Sequence, residues 1–152
     1  MRYDRTDVAF QEFPGEVSLL INLTGCPFSC HGCHSPWLRE DTGILLTDEE
    51  LMRLLGYHKG AVTCVGFMGG DADPAEVSRL ACEAKSYGFR TGWYSGADEF
   101  SPKADISAFD YVKVGHYDEE CGGLASPSTN QRFYVIRDGK PEDRTEMFLR
   151  DK

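Results

Sequence analysis

Three cysteines fall within eight residues, Cys26-Pro27-Phe28-Ser29-Cys30-His31-Gly32-Cys33, directly after the apolar run Val17 to Leu23. Thiolates at this spacing can hold three corners of a cubane iron-sulfur cluster, and no fourth thiol lies nearby in the sequence to close the last one. Clusters that only carry electrons ordinarily have four cysteine ligands, so a local triplet predicts an open iron for a substrate or cofactor. A structural zinc site is the alternative chemistry, with Cys26, Cys30 and Cys33 joined by His31 or His34 in a Cys3His set. Zinc modules usually draw ligands from two separated pairs, whereas these histidines adjoin cysteines, where simultaneous ligation is strained.

A second group of candidates sits at expected strand ends. Gly69-Gly70-Asp71 follows the apolar run Ala61 to Phe67, and glycines there let the backbone approach a ligand. Alone, a Gly-Gly-Asp turn is only a turn; beside the thiol triplet it becomes a cofactor contact. Alternation along Phe109 to Val114 sets Tyr111, Lys113 and Gly115 on one face and Val112 and Val114 on the other. With the valines packed on helices, Lys113 points into the opposite face, where a buried ammonium needs an anionic partner. Ser95, at the end of Phe89 to Tyr94, can reach the same region. An edge-strand lysine and a turn serine are the plainer readings of these two residues.

The elements that must position these groups follow from periodicity. Val17 to Leu23 reads as a buried strand delivering its C-terminal end to the thiol loop. Thr47-Asp48-Glu49-Glu50 is a capping box opening a helix with Leu51, Leu54 and Leu55 on one stripe, ending near Gly56. Ala61 to Phe67 is a second strand. Asp73-Pro74 starts another helix, with Val77, Leu80, Ala81 and Ala84 at helical spacing until Gly88. Phe89 to Tyr94 and Phe109 to Val114 are further strands, Arg132 to Arg137 a fifth, and residues 98–107 a short helix or turn. The charged tail from Asp138 to Lys152 is expected to be loosely ordered.

Strands alternating with helices predict an α/β fold of parallel units with right-handed crossovers. The chain is too short for eight such units, so a partial, open parallel β/α barrel or an open sheet is expected. Ligands of parallel sheets bind at strand C-terminal ends, which brings the thiol loop, Gly69-Gly70-Asp71 and Ser95 to one rim.

With 152 residues and 41% hydrophobic content, the chain reads as a single domain over residues 1–152. A net charge of −9 leaves no basic stripe for a phosphate backbone, which argues against nucleic acid. No window approaches the roughly 18 apolar residues of a membrane span, and no apolar signal core follows the N-terminus, so a cytoplasmic protein is expected. Six cysteines do not make this a secreted disulfide framework, because the chain has core enough without one. The sequon Asn22-Leu23-Thr24 is then an accident. Cys64 and Cys82 read as small buried hydrophobes, and Cys121, before Gly122-Gly123, as a distant ligand or reactive thiol.

The triplet after a first strand, followed at the next strand end by a Gly-Gly-acid element, resembles the radical S-adenosylmethionine (SAM) superfamily. The resemblance implies that Cys26, Cys30 and Cys33 bind one [4Fe-4S] cluster whose fourth iron is chelated by the methionine moiety of SAM. It implies reductive cleavage of SAM to a 5′-deoxyadenosyl radical that removes hydrogen from the substrate, with catalysis resting on cluster and SAM rather than on a side-chain acid or base. Gly69, Gly70 and Asp71 would hold the methionine amino group, Asp71 standing where the family usually has Glu, with Lys113 and Ser95 as further SAM contacts. Many members have an aromatic residue just before the last cysteine; here it is Gly32, so adenine would be held by loop backbone, Trp37 or Phe67.

Thr24-Gly25-Cys26-Pro27, Cys33-His34-Ser35-Pro36, Lys113-Val114-Gly115, Gly122-Gly123-Leu124 and Ser126 to Arg132 are similar to the activating proteins of anaerobic (class III) ribonucleoside-triphosphate reductase. The likeness runs from about Val17 to Tyr134. It implies a protein substrate, the glycyl radical subunit of that reductase, and a flavodoxin-like or other low-potential electron donor. A radical SAM enzyme serving another substrate is the second reading and a zinc module the third. Asn130 and Arg132 carry much of the narrower likeness, and both could equally cap or pair at the surface.

Overall fold

A computed structural model describes residues 1–25 and 42–149. Cys26, Cys30 and Cys33 lie outside the described residues, as do His31, Gly32, His34 and Trp37.

Among the described residues, eight strands form one sheet: β1 (Arg2–Ala9), β2 (Ser18–Leu23), β3 (Ile44–Leu45), β4 (Cys64–Met68), β5 (Arg90–Tyr94), β6 (Tyr111–Val114), β7 (Arg132–Arg137) and β8 (Lys140–Asp143), in the order β3-β1-β2-β4-β5-β6-β7-β8. The central strands β2, β4, β5 and β6 are mutually parallel. On one side β1 pairs antiparallel with β2 and β3 antiparallel with β1; on the other β7 pairs antiparallel with β6 and β8 antiparallel with β7. The described sheet is therefore mixed, with a parallel centre where the sequence reading expects a partial parallel barrel. β7 and β8 are joined by the tight turn Asp138-Gly139, a connection that only antiparallel neighbours allow.

Among the described residues, two α-helices support this sheet. α1 (Asp48–His58) starts where Thr47 accepts the Glu50 amide at 3.1 Å and runs just past Gly56. α2 (Pro74–Ser86) has its proline in the first turn, and Asp73 accepts the Glu76 amide at 3.2 Å. Leu51, Leu54, Leu55, Val77, Leu80, Ala81 and Ala84 pack with Leu19, Ile21, Val65, Phe67, Val112 and Val114 into the main core.

The opposite face has its own smaller core, built around Phe13 with Leu20, Cys64, Tyr111, Leu124 and Phe133. Phe13 comes from the β1–β2 connection and is wholly buried. Its ring lies across Gly66 and Gly92, which are register partners on β4 and β5. A Cβ at Gly66 would sit 2.4 Å from the Phe13 ring, and one at Gly92 2.2 Å, so both glycines are required by this close approach. The same connection is fastened by Glu16, whose carboxylate accepts hydrogen bonds from the Tyr111 hydroxyl at 2.5 Å and the Thr63 hydroxyl at 2.6 Å.

Three expectations are corrected. Residues 138–149 are not a loose tail: β8 pairs with β7 from Tyr134 to Arg137, and a 3-10 turn over Thr145–Phe148 lets Phe148 pack edge-on against Phe133 at 4.8 Å. Cys82 is exposed, because it lies on the face of α2 away from the Val77 and Leu80 stripe. Phe67 is fully buried in the helix-side core and is not available to an adenine ring.

Candidate functional site

Parallel pairing aligns the C-terminal ends of the central strands. Asn22, Met68, Tyr94 and Lys113 form one register row across β2, β4, β5 and β6. Immediately beyond that row come Leu23-Thr24-Gly25 and then, in sequence, Cys26; Gly69-Gly70-Asp71; Ser95-Gly96; and Val114-Gly115. The candidate residues described by the structure, Gly69, Gly70, Asp71, Ser95 and Lys113, thus share one rim, and Gly25, the residue before Cys26 in sequence, follows the end of β2 at that rim.

Backbone and side-chain bonds tie this rim together. The Gly69 amide donates to the Tyr94 carbonyl at 2.9 Å, and the Gly69 carbonyl accepts the Trp93 indole N–H at 2.6 Å. Gly70 has φ +88°, and a Cβ there would lie 2.5 Å from Val77 and 2.7 Å from Leu23, so the turn closes tightly onto the core and tolerates only glycine. Asp71 then reaches across to β5, where its carboxylate accepts the Ser95 hydroxyl and, at 3.0 Å, the Gly96 amide. Ser95 is 2% exposed and also receives the Ala97 amide on its oxygen at 3.1 Å. Its hydroxyl therefore serves Asp71 first, as a brace between β4 and β5.

Lys113 is 8% exposed on the face away from the helices, beside Tyr111 of the second core, as the alternation predicts. Its Nζ donates to the Gly115 carbonyl at 3.0 Å and stands 5.4 Å from the centre of the Tyr94 ring. Tyr94 is held by a 2.6 Å bond from its hydroxyl to the Glu12 carbonyl, and burial pushes its phenol above the ordinary range, so it stays neutral. The face of that ring attracts an ammonium so placed.

Sequence reasoning did not single out His116 and Asp98, which stand at the same end of the sheet. His116 Nδ1 lies 2.7 Å from Asp98 Oδ1, and the His116 amide donates to the same oxygen at 3.1 Å. These two bonds hold the Asp98 carboxyl below its usual range. Asn130 donates to the His116 carbonyl at 3.1 Å, and Arg132 stands 3.6 Å from Asp143, so both residues pair within the chain. Phe13 was also missed, although mid-strand Gly66 and Gly92 are the signal of a close approach.

The residues present fit the expected groups in kind. Three thiols spaced Cys-x3-Cys-x2-Cys are the soft donors that iron-sulfur clusters take; an acid at Asp71 and a buried ammonium at Lys113 complement the amino and carboxyl groups of an amino-acid moiety. Among the described residues, no cluster of His, Cys, Asp and Glu is arranged to hold a metal ion. Cys121 is half-buried, and burial together with the nearby Asp118 charge raises its thiol, which disfavours a reactive thiolate. Cys64, buried on the second face, is pushed up to about 12 by its burial. No helix among the described residues is long and apolar enough to cross a membrane. Comparisons with protein-family models, with curated proteins and with solved structures find no match to this chain.

Proposed function

We propose that this protein is a radical SAM activating enzyme, with Cys26, Cys30 and Cys33 as ligands of a [4Fe-4S] cluster and the glycyl radical subunit of an anaerobic ribonucleotide reductase as its substrate. The observation that carries the reading is the register row Asn22, Met68, Tyr94 and Lys113, since it aligns the strand that leads into the thiols with those bearing Gly69-Gly70-Asp71, Ser95 and Lys113. The mixed sheet is read as a shortened form of the partial barrel, its parallel centre retained. A cytoplasmic location and a flavodoxin-like electron donor belong to the same proposal.

When bound, cluster and SAM supply a one-electron reductive cleavage that ends in hydrogen abstraction from the substrate. The chain's own residues have to bind and aim. Lys113 offers its ammonium to the SAM carboxylate, from a position fixed by Gly115 and the Tyr94 ring. Asp71 offers negative charge to the amino group, and its bonds to Ser95 and Gly96 keep the Gly-Gly turn in place. Phe13 fills the sheet face beneath, so that the rim rests on a packed floor.

The test is isotopic. With the reductase subunit deuterated at glycine, deuterium is expected in 5′-deoxyadenosine from a single glycine, and Cys30→Ala is expected to abolish SAM cleavage. Cleavage without deuterium transfer would reject the reductase as substrate, and turnover by Cys30→Ala would reject the cluster assignment.

A further inference from the structure

The antiparallel ladder between β6 and β7 stops at Val114 and Arg132. One step further in the same register Gly115 comes opposite Gln131, but Gly115 turns out of the ladder. Its φ is +110°, and its amide donates to the Ala97 carbonyl at 2.6 Å. Side chains take over where the backbone pairing ends. Gln131 Nε2 donates to the Gly115 carbonyl at 3.4 Å, and Asn130 Nδ2 to the His116 carbonyl at 3.1 Å. Consecutive carboxamides thus hold consecutive carbonyls just beyond the end of β6.

Gln131 is itself firmly placed. It is 7% exposed, and an amide so buried is costly unless it is hydrogen-bonded. Its backbone amide donates to Thr129 Oγ1 at 3.0 Å. On the other side a Cβ at Gly115 would lie 2.8 Å from the Gln131 Cα, so only glycine admits this approach. Lys113 is the register partner of Phe133, and residues two apart on a strand share a face, so Gln131 continues the face of Lys113.

The Gly115 carbonyl takes two donors, one on each lone pair. Lys113 Nζ reaches it at 3.0 Å and Gln131 Nε2 at 3.4 Å. A carbonyl on a glycine that has left the ladder has no strand partner to fix its direction. The Gln131 amide supplies that direction, and the buried Lys113 ammonium stands where the carbonyl points.

We infer that Gln131, together with Asn130, is a positioning residue of the rim: it sets the Gly115 carbonyl that holds the Lys113 ammonium, and thereby the place at which Lys113 meets the carboxylate of a bound amino-acid moiety. The hold on Lys113 stands on the geometry alone. Its consequence for the ligand rests on the SAM reading proposed above.

Two readouts separate these parts. Acetylation of the full chain by an N-hydroxysuccinimide ester, mapped by mass spectrometry, reports on Lys113 without SAM. Gln131→Met keeps the length of the side chain but not its amide, and is expected to raise Lys113 labelling about twofold to tenfold, the worth of one hydrogen bond. Unchanged labelling of Lys85, which pairs with Asp110, establishes that the variant is folded. In calorimetry on the reconstituted protein, Gln131→Met is expected to weaken SAM binding by a similar factor. The double variant Gln131→Met with Lys113→Met should bind no worse than Lys113→Met alone, since the glutamine acts through the lysine. Lys113 labelling that stays at the wild-type level in Gln131→Met overturns the inference. So do losses of SAM affinity that add in the double variant, or wild-type affinity in Gln131→Met where Lys113→Met has lost it. Raised labelling with a SAM affinity indifferent to Lys113→Met upholds the hold on Lys113 and rejects instead the SAM reading of that residue.

Discussion

Asp71 at the end of β4 holds the end of β5, its carboxylate accepting the Ser95 hydroxyl and the Gly96 amide. Removing the acid leaves the buried Ser95 hydroxyl without this acceptor, which costs about 1–3 kcal/mol of stability. Asp71→Ala is therefore expected to lower the urea midpoint and to weaken SAM binding measured by calorimetry. Asp71→Asn, which keeps one acceptor oxygen, should recover part of the stability while losing the charge proposed to meet the SAM amino group. A wild-type urea midpoint in Asp71→Ala would show that the brace contributes nothing.

Phe13 and Gly92 form a second test, this time of packing. Phe13→Ala should cost about 3–5 kcal/mol, as expected for an aromatic ring lost from a core. Gly92→Ala should destabilise because its Cβ would lie 2.2 Å from that ring. The double variant is expected to cost less than the sum, since truncating the ring makes room for the methyl. Strict additivity in denaturation would contradict the contact.

The parallel centre and both helices were legible in the sequence for local reasons: apolar runs bounded by glycine, the capping residues Thr47 and Asp73, and leucines at helical spacing. The alternation around Lys113 was legible because each strand residue has only two faces to choose from. β1 was not, because Arg2–Ala9 carries charges on a half-exposed edge and its only deeply buried side chain is Tyr3. β8 was hidden for the same reason, all four of its residues being exposed. Ser95 was legible as a rim residue but not as the partner of Asp71, because a contact spanning 24 residues leaves no trace in local pattern. The Phe13 plug likewise depends on a tertiary approach, although Gly66 and Gly92 marked where it lands.

Acid stability should report on Glu50. Two hydrogen bonds from Arg53, and then the Tyr3 hydroxyl, hold its carboxyl at about 2, below the ordinary 4.5. A depressed carboxyl contributes stability that is present above its unfolded value and lost as pH falls through the folded one. Stability is expected to fall between about pH 4.5 and about pH 2. Glu50→Gln should flatten that part of the profile measured by chemical denaturation, and an unchanged slope would remove Glu50 from the account.

Thiol labelling should rank the three described free cysteines by environment. Cys82, exposed on α2, is expected to react first with iodoacetamide at neutral pH. Cys121 should follow slowly, its thiolate disfavoured by burial and by Asp118. Cys64, raised to about 12, should react only on unfolding. Peptide mapping by mass spectrometry reads the order, and native-state labelling of Cys64 would contradict the buried second core.

The central claim is that three thiols beside this rim hold a cluster with one iron open to SAM. Electron paramagnetic resonance of the anaerobically reconstituted, dithionite-reduced protein, recorded with and without SAM, tests it directly. The account predicts a reduced [4Fe-4S] signal that changes when SAM is added and is lost in Cys30→Ala. A protein that takes up stoichiometric zinc and shows no cluster signal, or a cluster signal indifferent to SAM, would contradict it.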